Sequence, residues 1–250
     1  MKSDSVVLIP TYNECENVAK MIDAVMALPD GIDILIIDDN SPDGTAQIVK
    51  TKQAEYPHRL HLLERPGKQG LGRAYIAGFR WALTEGYTYI TEMDCDFSHP
   101  VERLPALIQT VRSGQADLSI GSRYISGGEV RNWPLSRIAI SRGASLYVRL
   151  ITGFPVRDTT AGFVCYHRSV LEHIDLDQIR FYGYGFQIEM KYAAYCLGFQ
   201  LVEIPIVFED RVLGSSKMSG AIFGEAFRGV VEMRCDRWRG KFPAGRRKGM

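Results

Sequence analysis

Five short apolar runs, each followed by an amphipathic stretch and a polar turn, restrict this chain more than any other feature. Val6–Pro10, Ile32–Asp38, Leu60–Glu64, Tyr87–Asp94 and Leu118–Ser122 are rich in β-branched and aromatic residues. Between them the spacing predicts helices. Asn13 and Glu16 have the form of a capping box, and Val18, Met21, Ile22 and Val25 then give one apolar face. Further helices are expected near Thr45–Glu55, over Leu71–Glu85, and over Pro100–Arg112 with proline in its first turn. Continuous apolar strands alternating with helices predict an α/β fold, a doubly wound and mostly parallel sheet.

The unusual polar residues fall where such a sheet binds ligands, at the carboxyl ends of its strands. Pro10-Thr11-Tyr12-Asn13-Glu14, Asp38-Asp39, Asp94-Cys95-Asp96 and Ser122-Arg123 all occupy that edge. Asp94 and Asp96, two residues apart at the end of an extended segment, are expected on one side of the backbone. There they can share a hard divalent cation, which takes oxygen ligands and commonly keeps a phosphate in its shell. Each cluster alone has an ordinary explanation: Asp38-Asp39 as a strand end and helix cap, Arg123 in a surface ion pair, His99 as a structural residue. The loop Gly67-Lys68-Gln69-Gly70-Leu71-Gly72 lacks the glycine order of a dinucleotide fingerprint, and no P-loop string occurs. It serves either a tight turn or a substrate contact.

Composition narrows the partners. A net charge of +1 over 250 residues gives no field for a polyanion, so nucleic acid is not expected. The five scattered cysteines form no CxxC pair, which argues against zinc and a disulfide framework and for a reducing cytoplasm. No apolar leader follows Met1, and no run is long enough to span a bilayer.

Longer strings carry a family resemblance. Ile9-Pro10-Thr11-Tyr12-Asn13-Glu14, Ile37-Asp38-Asp39-Asn40-Ser41-Pro42-Asp43-Gly44-Thr45 and Met93-Asp94-Cys95-Asp96-Phe97-Ser98-His99-Pro100 are the first three. Gly121-Ser122-Arg123-Tyr124, Asn132-Trp133-Pro134-Leu135-Ser136-Arg137 and Gly214-Ser215-Ser216-Lys217 complete the set. In these the chain resembles the family 2 inverting glycosyltransferases of GT-A fold, and among them the dolichol-phosphate (polyprenol-phosphate) mannose synthases. The resemblance implies that Pro10, Tyr12, Glu14, Ile37 and Asp39 hold the guanosine of GDP-mannose. Met93, Asp94, Cys95 and Asp96 would hold metal, diphosphate and sugar, with Asp94 and Asp96 as ligands of Mg²⁺ or Mn²⁺. Arg123, Arg211 and Lys217 would surround the phosphates, and Arg123, Arg137 and Ser141 would meet the lipid phosphate. Ser98 stands where some relatives carry a glutamine metal ligand.

The chemistry agrees with this resemblance. A lipid monophosphate, with a second pKa of about 6, is anionic at neutral pH and needs cationic positioning rather than a strong general base. Attack on C1 from the far side would invert the anomeric centre. UDP-glucose as donor, or a non-catalytic nucleotide-sugar-binding subunit, are the alternatives. The expected unit is a catalytic domain over 1–217, including an acceptor segment near 131–152, followed by an amphipathic helix and basic tail over 218–250.

A lipid acceptor also requires a membrane surface. Arg137–Thr152 mixes apolar residues with arginines, and Met218–Met233 repeats apolar pairs at four-residue intervals. Both stretches can lie in the interface or pack on the sheet. The tail adds Arg234, Arg237, Arg239, Lys241, Arg246, Arg247 and Lys248 against Asp236, suited to anionic lipid or to a solvated end. Peripheral attachment to the cytoplasmic face of a membrane is expected, and a membrane-anchoring partner protein is left open.

Overall fold

Strand β1 (Ser5–Thr11) and strand β2 (Asp33–Asp38) pair in parallel, with Val6 opposite Asp33 and Pro10 opposite Ile37. The structure, a computed structural model, describes residues 3–210 and 221–239. Helices α1 (Val18–Met26) and α2 (Thr45–Glu55) follow these strands, then β3 (Leu60–Glu64), α3 (Leu71–Thr84) and β4 (Tyr89–Glu92). A 3₁₀ turn at Val101–Arg103 leads into α4 (Leu104–Arg112) and β5 (Leu118–Ser122). Beyond lie β6 (Glu129–Arg131), α5 (Leu135–Thr152), β7 (Val164–His167), α6 (Arg168–His173), α7 (Tyr184–Cys196), β8 (Leu201–Pro205), β9 (Val207–Glu209) and α8 (Ala221–Trp238).

The main sheet has seven strands in the order β3-β2-β1-β4-β7-β5-β8, and only β7 runs against its neighbours. The expected mostly parallel, doubly wound sheet is therefore present. Its strands are apolar on both faces because both are covered. Leu8, Leu35 and Ile37 face a core layer with Tyr75 and Phe79 of α3 and Phe186 of α7. Val7, Ile9, Ile34 and Ile36 face the opposite layer with α1 and α4. A separate parallel pair, β6 with β9, stands apart from the sheet.

Three boundaries differ from expectation. Helix α1 opens at Val18 rather than behind Asn13, which has φ +58° and donates its N–H to Ser41 Oγ at 3.1 Å. The hydroxyl of a neighbouring loop has captured the donor that a capping box would have used. Strand β4 ends at Glu92, so Asp94 and Asp96 lie in the bend beyond it, where Phe97 has φ +62°. The single helix expected over Pro100–Arg112 divides, because Pro105 enters the first turn of α4 and cannot donate to a preceding turn. The expected boundary at 217 lies outside the described residues, while α8 packs against α5 and α7.

Gly128 shows how tightly β6 is held to the site. A Cβ there would come within 2.7 Å of the Ser122 carbonyl oxygen and 2.8 Å of the Arg123 carbonyl carbon. Backbone cannot yield as a side-chain tip does, so Gly128→Ala should cost about 1–3 kcal/mol of stability. Urea unfolding of the variant against the parent checks this; an unchanged midpoint would refute the close approach.

Candidate active site

Three loops at the carboxyl edge of β1, β2 and β3 form the first half of the site. Asp38 accepts from Thr11 Oγ1 at 2.9 Å, Ser41 N at 2.8 Å and Ser41 Oγ at 2.6 Å. Asp43 accepts from Thr45 N and Cys15 N, both at 3.0 Å, and from Thr45 Oγ1 at 2.6 Å. Burial pushes the Asp43 carboxyl up, but the donors from Thr45 and Cys15 prevail and hold it near about 2. Glu14 N–H donates to Thr45 Oγ1 at 3.1 Å. The 11–15 and 38–45 loops are thus bolted together, leaving Tyr12 and Asp39 beside one another.

Asp39 is nearly buried, and burial raises its carboxyl while Arg65, 2.8 Å away, opposes that rise. Lys68 Nζ lies 4.9 Å over the Tyr12 ring. Sequence reasoning missed Arg65; its position just beyond the carboxyl end of β3 was the available signal. The Gly67–Gly72 loop does serve a tight turn, since Gly70 has φ +101° and packs against Tyr182. It also brings Lys68 to the candidate nucleoside face.

The acidic pair occupies the centre. Met93 and Cys95 turn into the core, Asp94 is 40 % exposed at its side chain, and Asp96 is largely covered. Asp96 Oδ1 accepts from Ser98 N–H at 3.0 Å, and Asp94 N–H donates to His99 Nδ1 at 3.0 Å. Burial lowers the His99 pKa, so the ring is neutral with its proton on Nε2. Burial first, and then Glu14, Asp96 and Asp94, push the Cys95 thiol up, which shows negative potential from three carboxylates converging there. Among the described residues no group of three or more His, Cys, Asp or Glu could hold a metal. Two hard carboxylates, one of them half-exposed, do suit a Mg²⁺ or Mn²⁺ that draws its remaining oxygens from phosphate and water.

Arg123 makes a buried ion pair. Its guanidinium is buried and bound to Asp158, Nε to Oδ2 at 2.7 Å and Nη2 to Oδ1 at 2.6 Å, with Thr160 Oγ1 at 2.9 Å from Nη2. Sequence reasoning did not single out Asp158, because nothing in Asp158-Thr159-Thr160 marks it beyond a polar loop. Glu203 in turn accepts from Asp158 N–H at 2.9 Å and Ser122 Oγ at 2.7 Å. Arg123 thus anchors the site from beneath. Ile37, Met93 and Cys95 are likewise buried.

The Arg137 guanidinium lies 3.8 Å over the Trp133 ring, with Nη1 at 3.1 and 3.2 Å from the two Asp210 oxygens. Ser141 follows one turn later on α5, and Pro10 is the next-to-last residue of β1. Arg211 and Lys217, with the Gly214–Lys217 string, lie outside the described residues. Behind the site, burial raises Glu92 and lowers Lys191. Gln187 Nε2 donates to Glu92 at 2.7 Å, and Lys191 Nζ donates to the Ala161 carbonyl at 2.5 Å.

The family model of glycosyl transferase family 2 matches residues 6–175. The chain is 46% identical over 240 residues to a polyprenol monophosphomannose synthase of Mycolicibacterium smegmatis, covering 94% of this chain and 90% of that protein. It is 48% identical over 235 residues to an undecaprenyl-phosphate mannosyltransferase of Micrococcus luteus, covering 93% and 95%. A dolichol-phosphate mannosyltransferase of Pyrococcus furiosus is 34% identical, covering 94% of this chain and 64% of that protein. Among solved structures, glucosyl-3-phosphoglycerate synthase from Mycobacterium tuberculosis with Mn²⁺ and UDP superposes at a TM-score of 0.65, with 16% identity and coverage of 93% and 78%. A mannosyltransferase from Pyrobaculum calidifontis with GDP-Man and Mn²⁺ gives 0.60 at 14% identity, covering 98% and 76%. Those likenesses establish the GT-A fold.

The Arg123–Asp158 pair is the most consequential buried contact of the site. Asp158→Ala leaves a guanidinium buried without its counter-charge and should cost about 3–5 kcal/mol. Chemical denaturation measures this. A loss comparable to that of an exposed ion pair would show that Arg123 is held by other means.

Proposed function

Because the chain belongs to glycosyl transferase family 2, we propose that it transfers mannose from GDP-mannose to a polyprenyl monophosphate, with inversion and release of GDP. The observation that carries this reading is identity of 46 and 48% across nearly the whole chain to relatives named for that lipid and sugar. The Asn-Trp-Pro-Leu segment, with Arg137 stacked on its indole, adds support on the acceptor side.

The residues divide the work as follows. Tyr12 and Asp39 receive the base, with Lys68 and Arg65 beside them. Asp94 and Asp96 would hold Mg²⁺ or Mn²⁺, which would supply positive charge beside the departing diphosphate. Arg137 and Ser141 receive the lipid phosphate, while Arg123 braces the floor between the two substrates. Arg211 and Lys217 add charge around the phosphates by family resemblance. A phosphate oxygen attacks C1, the bond from C1 to the β-phosphate oxygen breaks, and GDP leaves with the electron pair. The acceptor is already anionic, so cationic positioning takes the place of a base.

Attachment to a membrane follows from the acceptor. Helix α5 leaves Leu135 at 84%, Leu150 at 75%, Ile140 at 57% and Leu146 at 52% exposure, and α8 leaves Trp238 at 74%. Leu135, Leu146 and Leu150 lie along one stripe of α5, flanked by Arg142 and Arg149. No helix among the described residues is long and apolar enough to cross a membrane. Such a stripe with flanking arginines fits a helix lying in the interface of an anionic membrane.

Turnover with a short polyprenyl phosphate and Mg²⁺ or Mn²⁺ should give lipid-linked mannose from GDP-mannose, reduced at least about 100-fold by Asp96→Ala. Product from UDP-glucose alone would overturn the donor, and donor binding without any product would favour a non-catalytic subunit. The membrane reading has its own check. The protein should co-sediment with anionic vesicles, less at high salt, and Leu135→Glu/Leu150→Glu should abolish this while GDP binding persists. Equal sedimentation of parent and variant would remove α5 from the interface.

A further inference from the structure

The proposed reaction brings two polyanions together, and something must fix how far apart they sit. The candidate acceptor residue Arg137 and the candidate metal ligand Asp94 belong to separate segments that no strand of the main sheet joins directly. A continuous run of rings does join them. The Arg137 guanidinium lies 3.8 Å over the Trp133 ring. Trp133 meets Phe208 with centroids 5.3 Å apart at 71°, and Phe208 meets His99 at 5.7 Å and 71°. His99 stacks on Phe163 at 5.1 Å and accepts the Asp94 N–H at 3.0 Å. Edge-to-face contacts of this kind have defined geometry and resist sliding.

The surrounding structure holds this column from the side. Arg123, fixed by Asp158, sits 5.5 Å from the Trp133 ring and 5.3 Å from the Phe208 ring. Phe208 belongs to β9, whose pairing partner β6 ends two residues before Trp133, so the small sheet sets the register of two column members. Asp210, just past β9, grips Arg137 opposite the indole. Among the described residues the buried Trp133 Nε1 atom has no hydrogen-bond partner, and ring and cation contacts place the indole.

We infer that Trp133, Phe208 and His99 are positioning residues: a rigid aromatic column that sets the separation between the acceptor phosphate on Arg137 and the sugar C1 at the acidic pair. This inference rests on the proposed function. It assigns a role to the β6–β9 sheet, which otherwise stands apart from the fold. A packed column is suited to the task because misplacement of about 1 Å between reacting groups can cost on the order of 100-fold in rate.

The test uses Phe208→Leu, which opens the middle of the column, with Trp133→Leu and the ring-preserving Trp133→Phe. Phe199→Leu, at a ring contact with His173 remote from the site, controls for loss of packing. Phe208→Leu should lower kcat for lipid transfer by about 10- to 100-fold, with the KM for GDP-mannose changed by no more than about twofold. The ratio of free mannose to lipid-linked mannose should rise, because water attacks C1 when the lipid phosphate is misplaced. Trp133→Leu should weaken binding of geranyl phosphate, read by calorimetry without donor or metal, by about fivefold, and Trp133→Phe should restore most of it. Unchanged kcat and product ratio in Phe208→Leu, or losses matched by Phe199→Leu at equal stability, would overturn the column and leave the proposed function standing. Absence of transfer by the parent protein would overturn both.

Discussion

A carboxylate with no exposure to solvent, Asp158, holds together the region where β5, β8 and the 157–160 loop meet. It takes both ends of the Arg123 guanidinium and the Arg123 N–H, while its own N–H is donated to Glu203. Glu203 on β8 also binds Ser122 at the end of β5 and the N–H of Arg157. Two charged groups withdrawn from water are costly unless nearly every donor and acceptor is matched. Here the matching fixes β5, β8 and the 157–160 loop relative to one another. Arg123 then presents its face to Trp133, Tyr124 and Phe208, so the aromatic layer on the acceptor side rests on that buried pair.

The loops after β1 and β2 use many short hydrogen bonds instead of one strong pair. Most of the Asp38–Thr45 string joins loops: Asp38 closes its own turn, and Ser41, Asp43 and Thr45 each bind an N–H of the 13–15 segment. Asn13 and Asn40, with φ near +58° and +56°, shape the two loops that meet. The preformed lattice around Tyr12 and Asp39 lowers the ordering cost of any ligand bound there.

Helix α5 joins the chemistry to a surface. Its first turn carries Arg137 and the rest carries an exposed leucine stripe, so one rigid element spans the candidate phosphate site and the candidate membrane contact. Among the described residues, Val230 and Met233 of α8 are buried against the body, while Val231 and Trp238 face outward. Each helix thus serves the core and the surface at once.

What the sequence determined by itself was the parallel α/β plan, the edge on which the site lies, and the chemical types gathered there. Continuous β-branched runs and their spacing suffice for the plan, since strands covered on both faces leave no other pattern. Placement of the acidic pair needed only its position after the fourth run. The sequence did not reveal β6 to β9, because these strands are short, broken by polar residues, and paired across long separations. Nor could it show that Arg123 pairs with Asp158, that Arg65 backs Asp39, or that Asn13 yields its N–H to Ser41. Those partners are 35, 26 and 28 residues apart in the chain. Side-chain type records what a residue can bind; only the tertiary structure decides which partner arrives first, because a buried charge or donor is satisfied by whatever the fold brings within 3 Å.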